Sequence, residues 1–137
     1  MNLSCEKKET IITTLKSNIP TLQALYLFGS FYDNSANNES DIDIAFLATE
    51  LIDIKIVWEI SQKLSILLQR DIDLVELKTA NTIFRYEIIS DSDRIYGDGY
   101  DVEYFETLVY SFYLRFQQER KPIVDAIYAD KKVFRVS

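Results

Sequence analysis

Histidine is absent from the sequence, and this absence excludes several kinds of chemistry. Without histidine the chain cannot build a Ser-His-Asp triad, a Cys-His nucleophile or a histidine-ligated zinc site. The single cysteine, Cys5, excludes an internal disulfide and a cysteine-rich metal centre. We interpret Cys5 as a spectator thiol, because a catalytic cysteine normally needs a neighbouring base.

Glycine and proline are also scarce, and long hydrophobic runs are missing. With 3 Gly and 2 Pro, no low-complexity linker divides the chain, and we expect a single domain over residues 1–137. The first residues lack the apolar run of a signal peptide, and no stretch approaches the length of a membrane span. We therefore expect a soluble cytoplasmic protein with no membrane partner.

Acidic residues outnumber basic ones by 22 to 15, which gives a formal net charge of −7. Because binding to DNA or RNA depends largely on neutralising phosphates, we expect no direct nucleic-acid binding. A metal-chelated nucleotide is a different ligand, since divalent ions can bridge the protein's carboxylates to the ligand's phosphates. An acidic chain can therefore still hold a nucleotide.

The hydrophobic pattern predicts the order helix, strand, strand, helix, strand, helix, helix. The predicted strands are residues 22–28, 41–47 and 71–77, and residues 94–100 are expected to form a turn or a short extended piece. The predicted helices cover residues 5–16, 53–69, 79–90 and 101–121, and Pro122 is expected to end the last one. The order favours an α/β (α+β) domain with a small mixed sheet of three to four strands flanked by helices.

Two of the helices have apolar stripes that we expect to face the core. In the helix that Asp53 caps, the stripe is Ile56, Val57, Ile60, Leu64, Leu67 and Leu68. In the last helix it is Phe105, Leu108, Val109, Phe112 and Phe116.

Asp41 and Asp43 begin the second predicted strand, directly after a polar loop. Residues i and i+2 of a strand face the same side, so the two carboxylates project together while Ile42 and Ile44 face the core. Adjacent carboxylates repel unless a cation lies between them, and hard oxygen ligands suit Mg²⁺. The alternative is that Asp-Ile-Asp merely starts a strand after an exposed loop.

Gly29 and Ser30 stand where the first predicted strand ends, and ten residues separate Ser30 from Asp41. Glycine lets the backbone approach a ligand closely, and a serine hydroxyl with the following N–H groups can hold phosphate oxygens. A second acidic pair, Asp71 and Asp73, begins the third strand. A third carboxylate beside the first two is what two-metal chemistry requires.

The pattern Gly29-Ser30, ten residues, Asp41-Ile42-Asp43, with Asp73-Leu74-Val75 downstream, resembles the DNA polymerase β-type nucleotidyltransferase superfamily. Within it, the short chain is similar to the minimal nucleotidyltransferase (MNT) group, whose members are commonly encoded beside a HEPN ribonuclease toxin. The motifs lie within residues 22–77, whereas the helical C-terminal part, residues 79–137, matches only in general character. The resemblance implies the nucleotidyltransferase fold.

The resemblance also implies a site. Asp41, Asp43 and Asp73 would be the catalytic carboxylates that hold two Mg²⁺ ions, and Gly29 and Ser30 would position the phosphates of ATP. We prefer Asp73 as the third acid because the resemblance places that acid directly before an apolar pair such as Leu74-Val75. The alternative third carboxylate is Asp71.

The MNT resemblance finally implies an antitoxin that forms a hetero-oligomer with a cognate HEPN toxin. It would be a protein adenylyltransferase, transferring AMP from ATP to a tyrosine hydroxyl of that toxin and so inactivating it. Two alternatives stay open. One is an antitoxin that acts by binding alone, and the other is a nucleotidyltransferase for a small molecule such as an aminoglycoside.

Overall fold

Helices and strands alternate along the chain in a computed structural model, which describes the backbone of residues 2–136 and the side chains of residues 2–121. The elements are α1 (Cys5–Asn18), β1 (Leu22–Phe28), α2 (Ser30–Asp33), β2 (Ile42–Ala48), α3 (Ile54–Leu68), β3 (Ile72–Glu76), α4 (Thr82–Ser90), β4 (Ser92–Tyr96) and α5 (Tyr100–Val136). In this described part, no helix is both long enough and apolar enough to cross a membrane.

The four strands form one mixed sheet in the order β3-β2-β1-β4. β1 pairs antiparallel with both β2 and β4, whereas β2 and β3 are parallel and are joined by α3. A parallel pair needs such a crossover, because a tight turn can join only antiparallel neighbours. The predicted fold class, a small mixed sheet flanked by helices, is confirmed.

Each face of the sheet carries its own apolar core, because successive strand residues point to opposite sides. On one face, Ile42 and Ile44 pack with residues of α1 and α3 such as Leu15 and Leu64. On the other face lie Ala24, Tyr26, Ala45 and Leu47, covered by residues of α4 and α5 that include Ile88, Val102 and Val109. By the same alternation, Asp41 and Asp43 belong to the face that α4 and α5 cover.

The structure corrects the predicted elements in several places, including the short helix α2 (Ser30–Asp33), which was not predicted. Residues 92–96 form the edge strand β4, which obtains its hydrogen bonds from β1, a partner that the local sequence does not reveal. α4 begins at Thr82 rather than at residue 79, and Asn81 caps it, since its Oδ1 accepts the N–H of Phe84 at 2.8 Å. Pro122 does not end α5, which continues to Val136. A proline inside a helix removes one donor at a cost of about 3 kcal/mol, which weakens a long helix without forbidding it.

The buried stripes of the helices are narrower than the predicted ones. In α3, Ile60, Leu64 and Leu68 are buried, but Ile56 is 42% exposed and Leu67 is 59% exposed. In α5, likewise, Val109 is buried whereas Phe112 is 45% exposed and Phe116 is 36% exposed. Each helix meets the sheet along a single line of side chains, so apolar residues on its flanks remain in solvent.

Polar contacts anchor α5 across the sheet. The Tyr26 hydroxyl donates to Oε1 of Glu106 at 3.2 Å, and Arg94 donates to Oε2 of Glu106 and to Oε1 of Glu103, each at 2.9 Å. Burial, together with the negative charge of Glu106, raises the pKa of Tyr26 well above its ordinary value. Tyr26 therefore stays protonated and keeps donating at every physiological pH.

We expect Glu106→Ala to lower the free energy of unfolding by about 1–3 kcal/mol, because the partly buried Tyr26 hydroxyl and the Arg94 guanidinium both lose their acceptor. The control is Glu119→Ala on the same helix, which breaks only the exposed ion pair with Arg115 and should cost no more than about 0.5 kcal/mol. Urea denaturation measures both. Equal losses would show that the contacts of Glu106 contribute no more than a surface ion pair.

Candidate active site

One row of paired residues crosses the sheet at the end where β1 finishes and β2 and β3 begin. Asp43 of β2 is the register partner of Asp73 on one side and of Phe28 on the other, and Phe28 in turn pairs with Ser92. Directly paired residues present their side chains on the same face. Asp41 lies two positions before Asp43, directly before β2, and its negative charge acts on Asp43. Three carboxylates therefore meet at this edge of the sheet.

Asp43 is the central and least solvated of the three acids. It is half-buried, whereas Asp41 and Asp73 are exposed. Burial, followed by the negative charges of Asp73 and then Asp41, together raise the pKa of Asp43 from its ordinary 3.8 to about 6. All three influences disfavour the ionised form of Asp43, which a nearby cation would restore.

Gly29 brings the backbone against this cluster. Its φ of 70° and ψ of −146° lie in a region that only glycine adopts readily. A Cβ atom there would overlap Oδ2 of Asp43 and lie 3.0 Å from its Cγ. The Gly29 carbonyl accepts the N–H groups of Tyr32 and Asp33 at 3.0 and 3.1 Å, so Ser30 begins the short helix α2 beside the acids.

The structure brings Gly29, Asp43 and Asp73 together, the charge of Asp41 acts on Asp43, and Ser30 follows Gly29 as the first residue of α2. Asp71, the alternative third acid, is exposed and precedes β3, and its backbone carbonyl accepts the N–H of Ile42 at 2.9 Å. By register, Asp71 lies level with Asp41 and Asp73 lies level with Asp43. Of the two neighbouring negative charges that raise the pKa of Asp43, the charge of Asp73 has the larger effect.

The carboxylates at this edge of the sheet suit a hard divalent cation only when water or substrate phosphates supply further oxygen ligands. Among residues 2–121, no group of three or more His, Cys, Asp or Glu side chains could hold a metal ion by itself. Mg²⁺ is usually held by one or two carboxylates, with water and substrate phosphates completing its shell. Carboxylates that repel each other at an open edge satisfy this pattern.

Two aromatic rings lie beside the three acids Asp41, Asp43 and Asp73, which we call the acid row, and the sequence did not reveal this arrangement. The ring of Phe84 on α4 meets the ring of Phe28 at 6.2 Å between centroids, in an edge-to-face arrangement. Phe84 also lines a cavity of about 440 Å³ between α4 and α5, together with Ile83 and Phe116. The two rings belong to elements far apart in the chain, so no local pattern could predict their contact.

This arrangement of a Gly-Ser turn against clustered aspartates agrees with what the comparison with known families finds. Residues 9–100 match the family described as polymerase beta, nucleotidyltransferase, and the chain belongs to that family. It is therefore a nucleotidyltransferase.

Similarity to individual proteins narrows the group. The chain is 39% identical over 120 residues to the protein adenylyltransferase MntA of Shewanella oneidensis, covering 88% of this chain and 86% of the relative. A toxin–antitoxin crystal structure with AMP-PNP matches with a TM-score of 0.81 and 38% identity, covering 88% of this chain and 98% of the other. A tri-AMPylated Shewanella oneidensis HEPN toxin in complex with MNT antitoxin matches with a TM-score of 0.76 and 36% identity, covering 90% and 97%. The predicted resemblance to the MNT group is confirmed.

We expect Gly29→Ala to destabilise the protein by more than Gly99→Ala. Both glycines have positive φ, so both variants suffer backbone strain of about 1–3 kcal/mol. Only the Gly29 variant collides with Asp43, because a Cβ at Gly99 meets nothing within 4 Å. Thermal and urea unfolding of the two variants measures the difference.

A double-mutant cycle isolates the collision itself. Asp43→Ala should recover part of the loss in the Gly29→Ala background, with a coupling of about 0.5–3 kcal/mol, as for residues in direct contact. The same Asp43 substitution combined with Gly99→Ala should be additive. Additivity in both backgrounds would contradict the close approach of Gly29 to Asp43.

We expect Asp43→Asn to stabilise the metal-free protein at neutral pH. The pKa of Asp43 is about 6 in the folded state against 3.8 ordinarily, so its ionisation opposes folding and stability falls as the pH rises between these values. After allowance for solvent screening of this half-buried group, the gain above pH 6 should be about 1 kcal/mol and should vanish near pH 4. Thermal unfolding with EDTA across this range measures it. Asp71→Asn is the matched control, and an equal gain for both variants, or a gain at pH 4, would contradict the prediction.

Proposed function

We propose that this chain is an antitoxin that transfers AMP from ATP to a tyrosine hydroxyl of a cognate HEPN-domain toxin. The observation that carries the proposal is the acid row, in which Asp43 lies between Asp41 and Asp73 and against the Gly29-Ser30 turn. The similarity to a protein adenylyltransferase supports a protein acceptor. The related complexes with AMP-PNP and with a tri-AMPylated HEPN toxin support ATP as donor and this class of toxin as acceptor.

Asp41, Asp43 and Asp73 would hold two Mg²⁺ ions. The raised pKa of Asp43 supports this assignment, because the burial and the neighbouring negative charges that raise it are the conditions that a bound divalent cation offsets. When bound, the ions would neutralise charge on the triphosphate and lower the pKa of the attacking hydroxyl.

The protein's own groups would act mainly by placement. Gly29 and Ser30 would hold the β- and γ-phosphates, which leaves the α-phosphorus facing the acid row. The tyrosine oxygen forms a bond to the α-phosphorus. The bond between that phosphorus and the oxygen that bridges it to the β-phosphorus breaks, and pyrophosphate leaves. The hydroxyl proton passes to solvent. Alignment of these groups and their electrostatic stabilisation account for the rate enhancement.

The product explains how the toxin would be inactivated. A tyrosine that has received AMP carries a phosphodiester with a negative charge and the bulk of a nucleoside. A ribonuclease must bind the phosphates of RNA, and an added negative charge at that surface repels them.

The test is incubation of the purified chain with ATP labelled at the α-phosphate, Mg²⁺ and the cognate toxin. We expect the label to appear on a toxin tyrosine, located by mass spectrometry. Asp43→Asn and Asp73→Asn should each lower the rate at least about 100-fold, whereas Asp71→Asn should retain most of it. A wild-type reaction that leaves the toxin unlabelled would refute the proposal.

Cell protection separates catalysis from simple binding. A variant carrying both Asp41→Asn and Asp43→Asn should fail to protect cells that express the toxin, while still binding it in a pull-down experiment. If that variant protects as well as wild type, neutralisation needs binding alone. Matched expression of the two proteins is the necessary control.

A further inference from the structure

Arg70 lies in the turn between α3 and β3, three residues before Asp73. Its Nη1 donates to the carbonyls of Asn37 and Ser40, both at 3.0 Å. Its guanidinium carbon lies 5.0 Å from the centroid of the Phe31 ring. One side chain therefore reaches both ends of the loop that joins Ser30 to Asp41.

Asp41 needs such support because the sheet does not hold it. β2 begins at Ile42, and Asp41 is exposed and lies outside the strand. The Ser40 carbonyl belongs to the peptide group directly before Asp41, and Arg70 fixes that group. On the other side, the Ile42 N–H is fixed by the Asp71 carbonyl at 2.9 Å. The backbone of Asp41 is thus held at both of its peptide bonds.

The loop itself is folded so that its carbonyls converge on Arg70. The N–H of Asn37 donates to Oγ of Ser40 at 2.8 Å, and the N–H of Ser40 donates back to the Asn37 carbonyl at 3.2 Å. The N–H of Glu39 donates to Oδ1 of Asn37 at 2.8 Å. These bonds close a tight turn whose two carbonyls share one nitrogen, Nη1, while the plane of the same guanidinium lies over the Phe31 ring, a combination that an ammonium group does not offer.

Phe31 links the same guanidinium to the phosphate-binding turn. Phe31 follows Ser30 directly, and its side chain is buried. A guanidinium over an aromatic face contributes roughly 0.5–2 kcal/mol, depending on how far it is desolvated. Arg70 therefore contacts a residue next to Ser30 and the peptide group before Asp41. It links the two motifs whose relative position the proposed reaction requires.

We propose that Arg70 is a positioning residue for the reaction, which fixes Asp41 relative to Ser30 through Phe31 and the Ser40 carbonyl without contacting ATP. The inference rests on the proposed function, because its kinetic consequence is a slower AMP transfer. A displacement of about 1 Å in a catalytic group can lower a rate about 100-fold. Loss of the brace should therefore appear in kcat rather than in KM for ATP.

The first experiment is steady-state AMP transfer by Arg70→Met, which keeps the apolar bulk of the side chain and removes the guanidinium donors. We expect kcat to fall about 100-fold with KM for ATP unchanged. Arg70→Lys should recover only part of kcat, because it restores the charge without the planar donors. Guanidinium ion added to Arg70→Ala should recover part of the activity. Lys78→Met is the matched control, since Lys78 braces the Thr49 carbonyl at 2.7 Å at the opposite end of the sheet.

The second experiment needs neither ATP nor toxin. Hydrogen–deuterium exchange should become faster at residues 37–42 in Arg70→Met and remain unchanged there in Lys78→Met. This readout separates the two proposals. If wild type transfers no AMP, the proposed function fails, and the exchange at residues 37–42 still decides whether Arg70 holds the loop.

Three outcomes would overturn the positioning role. A raised KM for ATP with an unchanged kcat would mean that Arg70 contacts the triphosphate. Wild-type kcat in Arg70→Met would mean that Asp41 needs no brace. Unchanged exchange at residues 37–42 would mean that the loop holds itself.

Discussion

The parallel pairing of β2 with β3 sets Asp43 beside Asp73, and the rest of the site depends on this contact between like charges. The register that pairs them also aligns the apolar residues that follow, Ala45 with Val75, so it cannot slip without exposing the core. Hydrophobic packing thereby holds two carboxylates where electrostatics alone would separate them. The pKa of Asp43 is raised first by its burial and then by the negative charge of Asp73 beside it.

The same logic explains why the site lies at an open end of the sheet. Farther along β1 and β2, both faces are covered, and paired carboxylates there would lose their hydration with no cation to replace it. At the edge, Asp41 and Asp73 remain exposed, and only Asp43 is half-buried. Because only one of the three acids is partly desolvated, their repulsion does not prevent the chain from folding without a cation. In the proposed reaction, the same three acids would bind a cation that the nucleotide brings.

Local sequence was sufficient for the features that local chemistry determines. The apolar run that ends at Gly29, the polar loop and the Asp41-Ile42-Asp43 alternation identified β1, β2 and the shared face of the two acids. The choice of Asp73 came from a family resemblance, and the strand register favours it because Asp73 rather than Asp71 pairs with Asp43.

The features that could not be predicted depend on partners distant in the chain. β4 has the polar sequence Ser-Asp-Arg-Ile-Tyr, and it is a strand because β1 offers it an unpaired edge. The Phe28–Phe84 contact and the reach of Arg70 to Ser40 follow from tertiary packing. The exposed Ile56 and Leu67 show the converse, since an apolar stripe on a helix does not reveal how much of it the sheet covers.

A chain without histidine depends on placement for its chemistry. In the proposed reaction, cations brought with the nucleotide would neutralise charge and activate the hydroxyl, so the protein's share is to hold a few oxygen atoms in fixed relation. In that reaction, residues that never meet the substrate would affect the rate as well as those that do. Arg70 would do so by holding the peptide before Asp41, whereas Gly29, which would itself hold phosphate, also lets the backbone reach Asp43. A small domain can therefore be an enzyme when its turns are as well determined as its strands.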